Sequence, residues 1–208
     1  MTLASTTWKR GSHVGGGKKN VTILQSHVSP RIRALADEIG YPNDADLTTL
    51  VQSLTHVSFS RYYGTTSSSF VCGSRSTNPH YQCLELVGDA VIALIVREFS
   101  IKSNKDKKEG VLAGIQDGLV NTSHLARIAK ERGLDKLIRL PNKIYMNEKM
   151  MCDVYEAVTG AIYLDLGLER SRVWIRKDMG IFIINGLIPE QSINHVGILQ
   201  SIFIRNVH

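Results

Sequence analysis

Tyr81-Gln82-Cys83-Leu84-Glu85-Leu86-Val87-Gly88-Asp89-Ala90 opens a run in which Leu84, Gly88, Val91 and Ile95 recur at helical spacing. Glu85 and Asp89, four residues apart, share a second face of the same helix. An apolar helix carrying paired carboxylates decides the reading of the rest of the chain.

Working outward, helical period recurs on both sides. Ile32, Leu35 and Ile39 follow a Ser-Pro start and predict a helix over 29–39, and Leu50, Val51, Leu54 and Val57 predict another over 47–58. Downstream, helices are expected over 84–99, 111–120, 123–132, 150–166 and 171–187, the last presenting Ile175, Met179, Phe182 and Ile183. Residues 61–79 lack period and are crowded with Ser, Thr and Gly, which predicts a long surface loop, partly disordered. No strand-like alternation of any length occurs, so the expected class is all-α. The expected organisation is a basic flexible arm over 1–28, one domain over 29–188 and a tail over 189–208.

Composition narrows the function classes. The chain has 208 residues, 21% of them charged and 43% hydrophobic, enough for an ordinary core and too little charge for a charge-driven disordered protein. The longest strictly apolar run, Ala90 to Val96, is far short of the roughly 20 residues of a membrane-spanning helix. Cys72, Cys83 and Cys152 form no paired motif, so neither a disulfide framework nor a zinc knuckle is suggested, and each is expected to act as a small apolar or surface residue in a reducing compartment. The net charge of +6 lies wholly in residues 1–36, which hold Lys9, Arg10, Lys18, Lys19, Arg31 and Arg33 and no acid. That arm reads as a disordered leader, an organelle-targeting segment or a phosphate contact. Gly15, Gly16 and Gly17 interrupt any long amphipathic helix there, and no apolar core of a secretion signal precedes them.

A second acidic pair, Asp153 and Glu156, sits three residues apart ahead of the small residues Gly160 and Ala161. Like charges on one helix face repel by a few tenths of a kcal/mol, and acids among Leu, Val and Ala are costly to desolvate. If the two helices cross at Gly88 and Gly160, the four carboxylates meet around one point and form an all-oxygen site for Mg2+, with Mn2+ as the second candidate. No His lies beside either pair, which argues against zinc and against the Glu-x-x-His pattern of di-iron bundles. The plainer alternative is that these acids face solvent or pair with nearby Lys and Arg. His56 and His124 read as structural residues.

The stretch from Gln82 to Val91 resembles the signature of the ribonuclease III family, with Tyr81-Gln82 closer to the Dicer version than to the bacterial one. Three further blocks follow the family's order: Leu54 to Phe59, Leu119 to Asn121 with Leu125 to Ala129, and Asp153 to Asp165. The resemblance implies a dimeric, all-α endonuclease domain that hydrolyses double-stranded RNA with divalent metal ions, leaving staggered ends with 5′ phosphate and 3′ hydroxyl. It places the metal-binding and catalytic acids on Glu85, Asp89, Asp153 and Glu156, and a phosphate-facing or charge-stabilising lysine on Lys149. Cys83 stands where the family has Arg. Leu86 stands for the Phe that enters the partner subunit, so Leu86 is the expected dimer contact, in a homodimer or with another RNase III-like chain. The expected RNA contacts are Lys102, Lys105, Lys107 and Lys108, with Arg127, Lys130 and Arg132 as a further cluster. The resemblance is compatible with an intracellular, mitochondrial RNA-processing enzyme. The alternative is a non-catalytic structural module of a ribonucleoprotein such as the mitochondrial ribosome; all four acids being intact favours the enzyme.

Overall fold

A computed structural model describes residues 28–59, 80–103 and 105–179. The expected loop over 61–79, the tail over 189–208, all of the arm except Val28, and residues 180–187 of the last expected helix lie outside the described residues.

The described residues are helical, with no strand among them and one isolated parallel bridge, Thr55 to Arg139. In chain order the helices are α1 (Pro30–Ile39), α2 (Thr48–Ser53), α3 (Gln82–Ser103), α4 (Glu109–Val120), α5 (Thr122–Glu131), a 3-10 turn (Leu134–Lys136), α6 (Glu148–Leu166) and α7 (Leu168–Met179). None is long and apolar enough to cross a membrane. The all-α expectation holds, and most ends fall within a few residues of the sequence reading, the scatter usual for helix ends.

Local signals set those ends. Ser29 accepts from the Ile32 N–H at 3.3 Å and Pro30 supplies a preset first turn for α1. Asn147 starts α6 by accepting from the Met150 N–H at 2.9 Å. Asn121 serves two helices: its amide donates to the Asp117 and Gly118 carbonyls that end α4, and its Oδ1 accepts from the His124 N–H at 2.8 Å to start α5.

The helix expected over 47–58 is a correction, since α2 stops at Ser53 and helical backbone returns only at 57–59. The Thr55 hydroxyl turns back onto the Val51 carbonyl at 2.7 Å, while Arg139 donates its N–H to Leu54 at 2.7 Å and Tyr81 donates to Thr55 at 3.0 Å. Two distant segments therefore take the backbone groups that another helical turn would need.

The core is organised around α6, buried continuously from Met151 to Ile162 and packed on α3, α5 and α7. Leu84, Ile92 and Ile95 of α3, Leu125 and Ile128 of α5 and Ile175 of α7 fill the space around it. On one side α6 carries a charged lock. The Tyr155 hydroxyl donates to Asp178 at 2.9 Å, Arg132 pairs with Asp178 and Glu38, and its guanidinium lies 4.5 Å over the Trp174 ring.

Candidate metal centre

The backbones of α3 and α6 approach most closely at two glycines. A Cβ at Gly88 would stand 1.7 Å from the Glu156 carbonyl oxygen, and one at Gly160 would stand 2.1 Å from that of Leu84. Both obstacles are backbone, so neither can swing aside. This crossing carries Glu85 on α3 to Asp153 and Glu156 on α6.

Asp153 and Glu156 are buried, each 8% exposed, whereas Glu85 is half-buried. Lys149 pairs with Asp153 one turn along α6 and reaches Glu85 Oε1 at 3.5 Å. Tyr81 is buried beside them, and burial, then the charges of Asp153 and Glu85, holds its hydroxyl protonated. Burial, then the charge of Asp153, raises Glu85 above the usual carboxylate range. Glu156 is pushed up to about 7, first by burial and then by Asp89 and Asp153, against the opposing pull of the Cys152 hydrogen bond and Lys149. Among the described residues, one ammonium thus faces more carboxylates than it can pair with.

Cys152, Asp153 and Glu156 each offer a ligand atom within 4.8 Å of the other two. Glu85 joins Asp153 through Lys149, and Asp89 lies exposed one turn further along α3, acting on Glu156 through its charge. Of the four expected acids, three are gathered with Lys149 and the fourth stands at the rim. The carboxylates are hard oxygen donors and fit Mg2+ or Mn2+.

Two residues of this cluster escaped the sequence reading. Tyr81 enters the sequence reading only as part of the Tyr81-Gln82 pair ahead of the helix, with no site role attached. Cys152 is buried like a small apolar residue, as its sequence context implies, yet its Sγ also donates to Glu156 Oε1 at 3.4 Å; its place four residues before Glu156 on the same face is the available clue. Cys83 is half-buried, and Cys72 lies outside the described residues.

The other expected residues are dispersed. Lys102 pairs with Glu98, while Lys105 and Lys108 are exposed and Lys107 is half-buried. They sit at the far end of α3 from Glu85, about 25 Å along its axis. Arg127 pairs with Glu131 and, with Lys130, lines a cleft of about 490 Å³ beside the start of α6. Arg132 is engaged in the Asp178 lock and is not offered to a phosphate. Leu86 is 75% exposed and shares a strip with exposed Ala90 and Leu94. His56 packs edge-on against Tyr81 at 5.5 Å and accepts from the Ser58 N–H. Burial holds the buried His124 down at about 4, and Arg127 adds to the effect.

A family model described as Ribonuclease-III-like matches residues 46–180. Ribonuclease 3 of Fusobacterium nucleatum is 34% identical over 122 residues, which are 56% of this chain and 52% of that protein. Ribonuclease 3 of Bdellovibrio bacteriovorus is 35% identical over 118 residues, 54% of this chain and 50% of that protein. The chain thus spans about half the length of these curated relatives. Among solved structures, a nuclease domain of ribonuclease III from Campylobacter jejuni superimposes with a TM-score of 0.58 at 26% identity, covering 72% of this chain and 99% of that one. That structure is described as flexible in a region involved in dimer formation.

Proposed function

Because this chain belongs to the ribonuclease-III-like family, we propose that it is an endoribonuclease that hydrolyses double-stranded RNA with a divalent metal ion. The observation that carries this reading is the glycine crossing that sets Glu85, Asp153 and Glu156 against the ammonium of Lys149. A Mg2+ or Mn2+ ion bound there supplies charge compensation and makes water a nucleophile at neutral pH.

The chain's own residues do the rest. Asp153 and Glu156 would hold the ion, and Glu85 and Asp89 would extend the oxygen donors toward the open side. Lys149, tethered between Asp153 and Glu85, is placed to balance charge developing on a phosphate. The products are a 5′ phosphate and a 3′ hydroxyl.

The described residues of one chain present one such centre, so cutting both strands of a duplex calls for two copies. The apolar strip of Leu86, Ala90 and Leu94 is the surface a second copy would cover, which makes a homodimer the expected form. An A-form duplex is recognised through its shape, phosphates and 2′-hydroxyls, so little base preference is expected. The Lys102 to Lys108 cluster is offered to its phosphates.

The test is incubation with a long RNA duplex and with single-stranded RNA, in Mg2+, Mn2+, Ca2+ and chelator, beside Glu156→Gln, with the mass in solution recorded. Metal-dependent cutting of duplex alone, lost in the variant, is expected. A folded dimer that binds duplex and leaves it whole in both Mg2+ and Mn2+ contradicts the enzyme and points to a structural module.

A further inference from the structure

The metal centre contains a donor that a purely hard-ion site does not need. Cys152 is 3% exposed, and its Sγ lies 3.4 Å from Glu156 Oε1 within the group of ligand atoms that also includes Asp153. Two ligands bound at about 2.0–2.3 Å around a tetrahedral ion lie roughly 3.5 Å apart, so this pair already spans one edge of such a site. Asp153 offers the third ligand, and three protein ligands with one open position suit Zn2+ or Cd2+. Sulfur prefers such thiophilic cations, whereas Mg2+ coordinates it poorly.

We propose that Cys152, Asp153 and Glu156 form a mixed sulfur and oxygen site that captures thiophilic divalent cations in competition with the hard ion. This rests on the proposed metal centre and adds to it a metal specificity set by one side chain. On capture the thiol proton leaves to solvent and the sulfur becomes a ligand. Glu156 is then held in the mixed set, so Zn2+ or Cd2+ acts as an inhibitor of hard-ion chemistry and not as its substitute.

The experiment titrates the full chain with Cd2+, in a background with Cys72→Ser and Cys83→Ser, and follows the ultraviolet sulfur-to-cadmium charge-transfer band. The expected result is one Cd2+ per chain with the band present, lost in Cys152→Ser and in Cys152→Ala. Cd2+ affinity measured calorimetrically should fall at least about tenfold in Cys152→Ser. Serine keeps the size and the hydrogen bond, and circular dichroism checks that both variants fold. No band, or a band undiminished in folded Cys152→Ser, overturns the proposal. In parallel, each variant's duplex cleavage in Mg2+ is measured as a ratio with and without Zn2+, a ratio that should rise in Cys152→Ser. A Cys152-dependent band in a chain that never cuts RNA upholds this inference while the nuclease reading falls. Cutting without the band does the reverse.

Discussion

Helix α6 lies between two acidic networks, each with a buried carboxylate, and they are built on opposite principles. On one side Asp178 and Glu38 face Arg132 and Lys177, with the Tyr155 hydroxyl as an added donor, so acids and bases match. On the other side Glu85, Asp153 and Glu156 gather around Lys149, the one cation set against them among the described residues, with Asp89 at the rim. A charge buried for structure is neutralised by a fixed partner, because breaking such a pair leaves an uncompensated ion. Among the described residues the second network is short of positive charge, which is the condition of a site that receives a cation from solution.

The largest expected effect comes from making the balanced network resemble the unbalanced one. Arg132→Met leaves Asp178 buried without its main partner and should destabilise the fold by about 3–5 kcal/mol. Thermal melting would show it as a fall of roughly 6–20 °C for a domain of this size. Cleavage per folded molecule, measured well below the melting point, should stay within about twofold, since Arg132 is remote from the carboxylates.

Gly160→Ala disturbs the frame on which both networks hang. Its Cβ meets the Leu84 backbone at 2.1 Å, so the loss should reach about 3 kcal/mol, the top of the usual range for overpacking. Denaturant titration would measure it, and a loss below about 1 kcal/mol would show that the crossing is looser than described.

Removing an acid from the unbalanced network should have the opposite sign for stability. Glu156→Gln should cut duplex cleavage more than about 100-fold, beyond the usual cost of a residue that only orients a ligand. In chelator the same variant should be more stable than the parent at pH 8, by about 1 kcal/mol after discounting for solvent screening. The sign follows from Glu156 being raised from 4.5 to about 7. Between those values the folded chain holds a proton that the unfolded chain has lost, so stability falls as pH rises through that window. Melting in chelator from pH 4 to 8 should show this fall in the parent, and a smaller one in Glu156→Gln.

The smallest effect on the fold is expected at the outer strip. Leu86→Glu, at a position 75% exposed in the single chain, should change stability by less than about 0.5 kcal/mol when both proteins are melted at dilutions where they are monomeric. Sedimentation should nevertheless show a shift from dimer to monomer. An unchanged mass would place the contact elsewhere.

The sequence showed the unbalanced network far better than the balanced one. Paired acids at helical spacing, with Gly88 and Gly160 on the same two helices, are local patterns, and the structure brings those helices together at those glycines. The Arg132 lock joins residues 38, 132, 155, 174 and 178, of which only 174 and 178 are linked by helical period, and Arg132 accordingly stands in the expected RNA-contact cluster instead. Helix α2 read too long for the same reason, since Thr55 pairs with Arg139, far along the chain. Within the site, Asp89 follows the spacing rule yet stands exposed at the rim, because a shared helical face fixes direction and not depth.

The central claim, that the negative charge at the α3–α6 crossing exists to hold a divalent cation, is tested most directly by melting the chain at pH 8 over a range of Mg2+ concentrations. A cation at ten times its dissociation constant adds about 1.4 kcal/mol, or roughly 3–6 °C. The account predicts that rise in the parent and its loss in Glu156→Gln. A parent whose melting temperature ignores Mg2+ and Mn2+ alike, or a variant that rises as much as the parent, would contradict it.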